Sequence, residues 1–188
     1  MEPTPSFLDI MVDCETTGTD PDSNAMVQLS AVKFDLKTRS VTPFTQFFDR
    51  CLRMPKNRYM EEGCRTNFWG KRPQIWNKIQ GRAEDPQLVM KDFFEWVGFQ
   101  NPGPVRFWAK PVTFDFNFVA SYARQYDLMN PFHYRWAIDM NSFIRGMAND
   151  PSVESHYLPF QGEAHNAIVD VLNQIDQVFK AADKYGNH

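Results

Sequence analysis

The chain has 188 residues, 43% of them hydrophobic, and a formal net charge of −3. This length suits one domain, and an apolar content that includes 17 Phe and 5 Trp excludes a disordered chain. Because the chain is mildly acidic overall, any nucleic acid must be held by a local basic patch. We therefore expect a single domain over residues 1–188, folded around an aromatic core.

Cysteine usage and hydropathy indicate the compartment. Cys14, Cys51 and Cys64 show no CxxC spacing, and an odd number of cysteines is not typical of a disulfide framework. No apolar run approaches the roughly 18 residues of a membrane span, and residues 1–7 lack the basic start and apolar stretch of a signal peptide. We expect a cytoplasmic protein without a membrane partner.

The first half of the chain predicts three consecutive strands. Residues 7–13 form a run of strand length that ends at turn-prone residues. Residues 26–35 and 41–48 are further β-like runs separated by a short polar connection. Three strands joined in this way predict an antiparallel meander.

Residues 53–82 have an irregular pattern that is rich in basic side chains. Eight Lys or Arg stand against only Glu61 and Glu62, which gives a local charge of +6, and aromatic residues are interspersed. The stretch is consistent with a track for a phosphate backbone and equally with a solvated excursion of the chain.

In the second half, helices alternate with short strands. Asp85 and Pro86 are typical of a helix start, and the apolar stripe that follows them ends at Gly98. The remaining predicted elements are a strand at 105–109, a helix at 115–126, a strand at 136–139, a helix at 140–147 and a long helix over 167–182 with Gly186 as its stop. This alternation indicates parallel crossovers, so we predict an α/β fold with a mixed sheet flanked by helices.

Asp13 and Glu15 lie two residues apart at a strand end. The period of two sends both side chains to the same face of the sheet. Magnesium prefers oxygen ligands and is often held by one or two carboxylates together with a substrate phosphate. The pair is therefore a candidate metal site, the alternative being two solvated acids before a glycine turn.

Two further clusters contain candidate catalytic residues. Asp115 stands among aromatic residues where a strand passes into a helix, so it is either a helix N-cap or a functional acid. His165 and Asp170 would point about 140° apart in a regular helix, which places His165 on the loop just before the last helix. There His165 can deprotonate water while Asp170 ligates a metal, the alternative being a solvent-facing His and an Asp that complements the helix dipole.

The order and spacing of these clusters resemble those of the DnaQ-like, or DEDDh, 3′→5′ exonucleases of the ribonuclease H-like fold. The sequence is most similar to the branch of phage exonuclease A and mycobacterial-type 3′→5′ exoribonucleases, through residues 66–69 (TNFW), 107–108 (FW), 165–167 (HNA) and Asp139. The resemblance covers nearly the whole chain. It implies a mixed five-stranded sheet flanked by helices.

The resemblance also implies a site with two Mg²⁺ ions, for which Mn²⁺ can substitute. Asp13, Glu15 and Asp170 would ligate one ion. Asp13 and Asp115 would engage the second. His165 would be the general base, and the ions would activate the attacking water and stabilise the leaving 3′-oxygen.

Substrate contacts are predicted beside this site. Thr16 and Thr17 are candidates for recognising the terminal 3′-nucleotide, with turn chemistry as the alternative. Trp108 and Phe114 are candidates for stacking the last bases, with core packing as the alternative. Pro111 stands where proofreading members often have Asn, which weakens the transfer of their substrate contacts.

The implied function is a metal-dependent exonuclease that acts on single-stranded 3′ ends and releases nucleoside 5′-monophosphates. The phage-like resemblance favours DNA, and an exoribonuclease of the same family is the alternative. A catalytically silent nucleic-acid-binding module and an interaction protein with exposed aromatics are alternatives from other classes. Relatives often form homodimers, but no sequence feature specifies an interface, so the oligomeric state stays open.

Overall fold

The computed structural model describes residues 6–98, 104–153 and 165–186. Within these residues the strands are β1 (Asp9–Thr16), β2 (Met26–Asp35), β3 (Ser40–Val41), β4 (Phe48–Leu52), β5 (Ala83–Glu84), β6 (Arg106–Ala109) and β7 (Ala137–Asp139). The α-helices in the same residues are α1 (Pro73–Gly81), α2 (Pro86–Val97), α3 (Val112–Gln125), α4 (Met140–Ala148) and α5 (Ala167–Tyr185).

The described strands form one mixed sheet in the order β5-β4-β2-β1-β6-β7, with β3 paired to β2. The pairs β1–β2, β2–β4 and β2–β3 are antiparallel, whereas β1–β6, β6–β7 and β4–β5 are parallel. An antiparallel meander followed by parallel crossovers is confirmed. The described part of the sheet has seven strands where five were expected, because the two-residue strands β3 and β5 also pair.

The third predicted strand was wrong in its bounds. Residues 41–48 are not one strand, since only the two residues of β3 pair with β2, and a 3₁₀ turn at Phe44–Gln46 follows. Pro43 lies between them and has no N–H to donate to a ladder. The second long partner of β2 is β4, which begins where the predicted strand was to end.

The helices confirm the end signals that were read from the sequence. Asp85 caps α2, its side chain accepting a hydrogen bond from the backbone N–H of Leu88 at 3.1 Å, and Gly98 follows the helix with φ 69°. A glycine tolerates this left-handed φ without strain. The final helix α5 extends three residues beyond the predicted end and is followed by Gly186. None of the described helices has the length and apolarity needed to cross a membrane.

Apolar side chains cover both faces of the sheet. Ile10 and Val12 of β1 pack on the face covered by α2 and α3, and Met11 packs on the face covered by α4 and α5. Successive residues of a strand point to opposite faces. The odd-numbered residues of β1, Asp13 and Glu15 among them, therefore face α5.

The basic stretch of residues 53–82 is more ordered than its pattern predicted. It contains a π-helical turn at Cys64–Phe68, a 3₁₀ turn at Trp69–Lys71, and α1. Arg58 is buried and donates to the carbonyl oxygens of Pro21 and Asn24. Its guanidinium therefore belongs to the interior, so Arg58 itself is not available to a phosphate backbone.

Candidate active site

Three carboxylates converge at the carboxyl end of β1. Asp13, Glu15 and Asp170 each offer an oxygen within 4.8 Å of the others. The first two come from alternate positions of β1, and Asp170 comes from the first turn of α5, which packs on that face. The prediction that Asp13 and Glu15 share a face is confirmed, and the fold brings Asp170 to them.

Asp115 reaches the same strand end from the other layer of the fold. It lies in the first turn of α3, and only 2% of its surface is exposed. Its Oδ1 accepts a hydrogen bond of 2.8 Å from the backbone N–H of Cys14, which stands between Asp13 and Glu15. The N-cap position of α3 belongs to Pro111, so the reading of Asp115 as a cap was wrong.

Gln174 connects α5 to the acids of β1. It lies one helical turn after Asp170 and donates from Nε2 to Oδ1 of Asp13 at 2.9 Å. Gln174 was not among the candidate residues predicted from the sequence. Its signal was a polar residue four positions after Asp170, within a helix whose neighbouring positions Val171 and Ile175 belong to the core stripe.

His165 lies before the N-cap Asn166 of α5, as predicted, with φ 64°. Its ring meets the Phe68 ring edge-on, with centroids 4.9 Å apart. Its Nε2 lies 3.2 Å from a terminal nitrogen of Arg72. Phe68 and Arg72 of the basic stretch 53–82 therefore contact the candidate base.

Burial raises the pKa values of all four acids, and neighbouring carboxylates raise those of Asp13, Glu15 and Asp115 further. The pKa of Asp13 rises from 3.8 to about 7 through burial and the charge of Asp170, opposed by the hydrogen bond from Gln174. Burial is also the largest cause for Asp170, whose pKa rises to about 6. The pKa values of Glu15 and Asp115 are well above their usual range, through burial and then the charge of Asp13.

The pKa of His165 shifts in the opposite direction. Burial lowers it first, and the positive charge of Arg72 lowers it further. Both effects disfavour the imidazolium form. The ring is therefore predominantly neutral near neutral pH, which is the form that can accept a proton.

The acids line one cleft of about 730 Å³. Other side chains in its wall include Thr16, Glu61, Lys110, Phe114, His165 and Gln174. Clefts of this size accommodate small organic ligands such as a nucleotide. Glu61 was not selected from the sequence; its carboxylate accepts a hydrogen bond of 3.2 Å from the N–H of Thr19.

The four predicted substrate contacts have different surroundings. Thr16 lines the cleft and donates to the carbonyl of Gly18 at 2.7 Å. Phe114 also lines the cleft, packed against Phe118. Both are placed where they can meet a ligand.

The other two contacts are corrected by the structure. Thr17 is fully buried, and its hydroxyl donates to Tyr59 and accepts from the N–H of Ala25, so it cannot contact a nucleotide. Trp108 is 2% exposed, and its indole N–H donates to Asp9 at 2.7 Å. The core alternative is right for Trp108, because its ring is enclosed on the α4–α5 side of the sheet.

The donor set fits divalent cations. Its ligand atoms are carboxylate oxygens, which Mg²⁺ and Mn²⁺ prefer. Burial and neighbouring carboxylates raise the pKa values of Asp13 and Glu15, and a cation between the acids would offset that repulsion. Asp13, Glu15 and Asp170 are the residues that would hold it.

An acidic cleft at the end of the central strand of a mixed, helix-flanked sheet is the arrangement that the sequence resemblance to 3′→5′ exonucleases implies. The family model described as the 3′-5′ exoribonuclease Rv2179c-like domain matches residues 8–181. The chain belongs to that family. A comparison with curated proteins gave no match.

Solved structures share the fold at low sequence identity. Cell-death related nuclease 4 aligns with a TM-score of 0.71 and 17% identity, over 94% of this chain and 64% of its own. Exonuclease I of E. coli with single-stranded DNA aligns with a TM-score of 0.70 and 16% identity, over 95% and 41%. The nuclease domain of 3′hExo, a DEDDh family member bound to rAMP, aligns with a TM-score of 0.68 and 15% identity, over 94% and 92%. This chain thus spans less than two thirds of the first two proteins.

Proposed function

We propose that the protein hydrolyses the last phosphodiester bond at single-stranded 3′ ends and releases nucleoside 5′-monophosphates. One observation carries the proposal: the carboxylates of Asp13, Glu15 and Asp170 lie within 4.8 Å of one another. Asp115 and His165 line the same cleft, so every member of the acid-and-histidine set faces one space. A silent binding module has no need of this set.

Two divalent cations fit the proposed chemistry. Asp13, Glu15 and Asp170 would hold one, and Asp13 together with Asp115 the second. When bound, such ions supply positive charge that offsets the phosphate charge and promotes ionisation of the attacking water. Mg²⁺ is the ion we propose, with Mn²⁺ as a substitute.

The chain's own groups orient the reactants and carry the proton. His165, neutral and at the cleft wall, accepts the proton of the attacking water, a role that typically contributes about 10²–10⁴-fold to the rate. The water oxygen bonds to phosphorus as the bond from phosphorus to the preceding 3′-oxygen breaks. Gln174 keeps the carboxylate of Asp13 oriented, and Phe114 offers a ring face to the terminal base.

We place RNA before DNA as the substrate. The family description names exoribonucleases, and this supports RNA more directly than the phage-like resemblance supports DNA. Single-stranded ends are supported by the cleft, which would receive an unpaired terminal nucleotide. A cytoplasmic location is supported by three free thiols, and a homodimer is a further proposal that sedimentation can test.

The decisive experiment uses 5′-labelled single-stranded RNA and DNA with Mg²⁺, Mn²⁺ or EDTA. The wild-type protein should shorten both by one nucleotide at a time, RNA faster, and only with a metal. Asp13→Ala should leave the label at full length. Binding without shortening in every metal would reject the enzyme and favour the binding module.

A further inference from the structure

The side chain of Arg72 lies between the candidate base His165 and Phe68. One terminal nitrogen of its guanidinium donates to the carbonyl of Phe68 at 3.1 Å, and the guanidinium carbon lies 4.4 Å from the centre of the Phe68 ring. The other terminal nitrogen is 3.2 Å from Nε2 of His165. The guanidinium is therefore fixed on the Phe68 side and meets the base on the other.

Phe68 is connected through Trp69 to β1, the strand that carries Asp13 and Glu15. Trp69 is buried and packs edge-on against Phe68, with centroids 4.9 Å apart. Its indole N–H donates to the carbonyl of Thr16 at 2.9 Å, immediately after Glu15. Arg72 is thus connected to the end of β1 through Phe68 and Trp69. Its positive charge acts on the carboxyl of Glu15 as well as on the imidazole of His165.

The backbone next to His165 is held from the opposite side. Gln28 of β2, a buried residue, accepts from the N–H of Ala167 at 3.4 Å and donates to the side chain of Asn166 at 3.3 Å. The backbone immediately after His165 is therefore anchored to β2, whereas the imidazole itself is in contact with Phe68 and Arg72.

The contact between Arg72 and His165 defines a tautomer. A guanidinium has only N–H donors and stays protonated, so Nε2 of His165 must be the acceptor. A neutral imidazole that accepts at Nε2 carries its proton on Nδ1. In this state the lone pair that would take a proton from water is occupied by Arg72.

We propose that Arg72 is a positioning residue that acts as a latch: it keeps the general base His165 inactive until a substrate phosphate binds. In the free protein it holds Nε2 of His165, and when a nucleotide enters the cleft its N–H donor passes to a phosphate oxygen, which releases Nε2 for the water proton. Arginine suits this exchange because a guanidinium binds phosphate oxygens strongly. The inference rests on the proposed function, since it needs a phosphate ligand in the cleft.

The test reads the imidazole directly. Long-range ¹H–¹⁵N spectra show which ring nitrogen is protonated, and the His165 signals are assigned by their loss in His165→Gln. The wild-type protein with EDTA should show the Nδ1–H tautomer, and Arg72→Met a tautomer mixture. AMP is a product of the proposed reaction and is not consumed. Added with Mg²⁺, it should shift the Nε2 signal of His165 in the wild type and much less in Arg72→Met.

Kinetics separate a latch from a structural role. Arg72→Met should raise KM for a single-stranded oligonucleotide about 10-fold or more, because a hydrogen bond to a charged group is lost, while kcat changes less. Arg72→Lys keeps the positive charge, so its KM should lie between those of the wild type and Arg72→Met. It also replaces Arg72→Met if that variant does not fold. Arg124→Met is the matched control, because Arg124 is exposed and pairs with Asp22 outside the cleft.

Several outcomes would overturn the latch. An Nε2–H tautomer in the free wild-type protein would do so, as would an Nε2 signal that ignores AMP in a protein that degrades oligonucleotides. Equal KM for wild type and Arg72→Met would also reject it. Failure of the proposed function gives a different result. The wild-type protein would then show no metal-dependent hydrolysis, while its spectra could still show the tautomer that Arg72 imposes.

Discussion

Asp9 and Asp13 are two carboxylates on the same face of β1, near its two ends, and they have opposite surroundings. Asp9 is buried and accepts hydrogen bonds from the guanidinium of Arg106 and from the indole of Trp108, each at 2.7 Å. Asp13 accepts from the neutral amide of Gln174 and lies against a second carboxylate, that of Asp170. The charge of Asp9 is balanced by a cation of the chain, and the charge of Asp13 is increased by a neighbour of the same sign.

The difference in partners distinguishes an acid with a structural role from one with a functional role. A buried acid paired with a guanidinium and an indole fixes strands β1 and β6 to each other. A group of acids with raised pKa values costs folding free energy and is found where a ligand supplies the missing charge. The position of an acid on this face of β1 does not by itself distinguish the two ends of the strand. Their partners do.

The largest expected effect is on activity. Asp13→Asn should lower kcat/KM on single-stranded RNA with Mg²⁺ by more than about 100-fold, because even residues that only orient metal ligands typically cost about 10–100-fold. Asp9→Asn is the matched control on the same strand and should keep activity within a few-fold of wild type, per folded molecule. An equal loss in both variants would remove the distinction between the two ends.

Gln174→Leu should have the next largest effect. It removes the donor that orients Asp13 and opposes the rise in its pKa, so Mn²⁺ affinity or activity should fall by about 10–100-fold. Calorimetric titration with Mn²⁺ measures the affinity, and the unfolding midpoint with EDTA shows whether the fold is intact. Unchanged Mn²⁺ affinity would mean that the Gln174 contact does not contribute to the metal site.

The acid cluster also makes stability depend on pH. The pKa values of Asp13 and Asp170 are raised from 3.8 to about 7 and about 6, so the folded protein binds protons more tightly than the unfolded chain. Without metal, the free energy of unfolding should therefore fall as pH rises from about 4 to 7, by on the order of 3 kcal/mol. Below the unfolded pKa values this destabilisation is absent.

Urea unfolding at several pH values, with EDTA and with Mg²⁺, measures that dependence. Mg²⁺ should restore stability at pH 7, because a ligand that binds only the folded state stabilises it. Asp13→Asn should flatten the pH dependence. A free energy of unfolding that rises over this window in EDTA would contradict the account of the cluster.

The smallest expected effect belongs to the paired end of β1. Asp9→Asn should lower the free energy of unfolding by about 2 kcal/mol, because its hydrogen bonds to Arg106 lose their charge. Urea unfolding should give this loss equally with EDTA and with Mg²⁺. A loss that Mg²⁺ reverses would place Asp9 in the metal site.

Short-range patterns predicted the main elements and the acids. The cap at Asp85, the alternation of β1 and the loop position of His165 follow from neighbours a few residues away, and the structure confirms them. Pro43 shows where such reading fails, because a β-like composition hid a residue without an N–H. The strand bounds were wrong there for a local reason that was visible in the sequence.

Taken alone, the sequence determined the α/β class, the face shared by Asp13 and Glu15, and the candidates Asp115, His165 and Asp170. Only the tertiary structure decided which side chains are available. It buried Thr17 and Trp108, placed Gln174 on Asp13 across 161 positions of the chain, and set Arg72 against His165 across 93. The physical reason is that backbone periodicity fixes the direction of a side chain, whereas its burial and partners depend on segments that are distant in sequence and meet only in the fold.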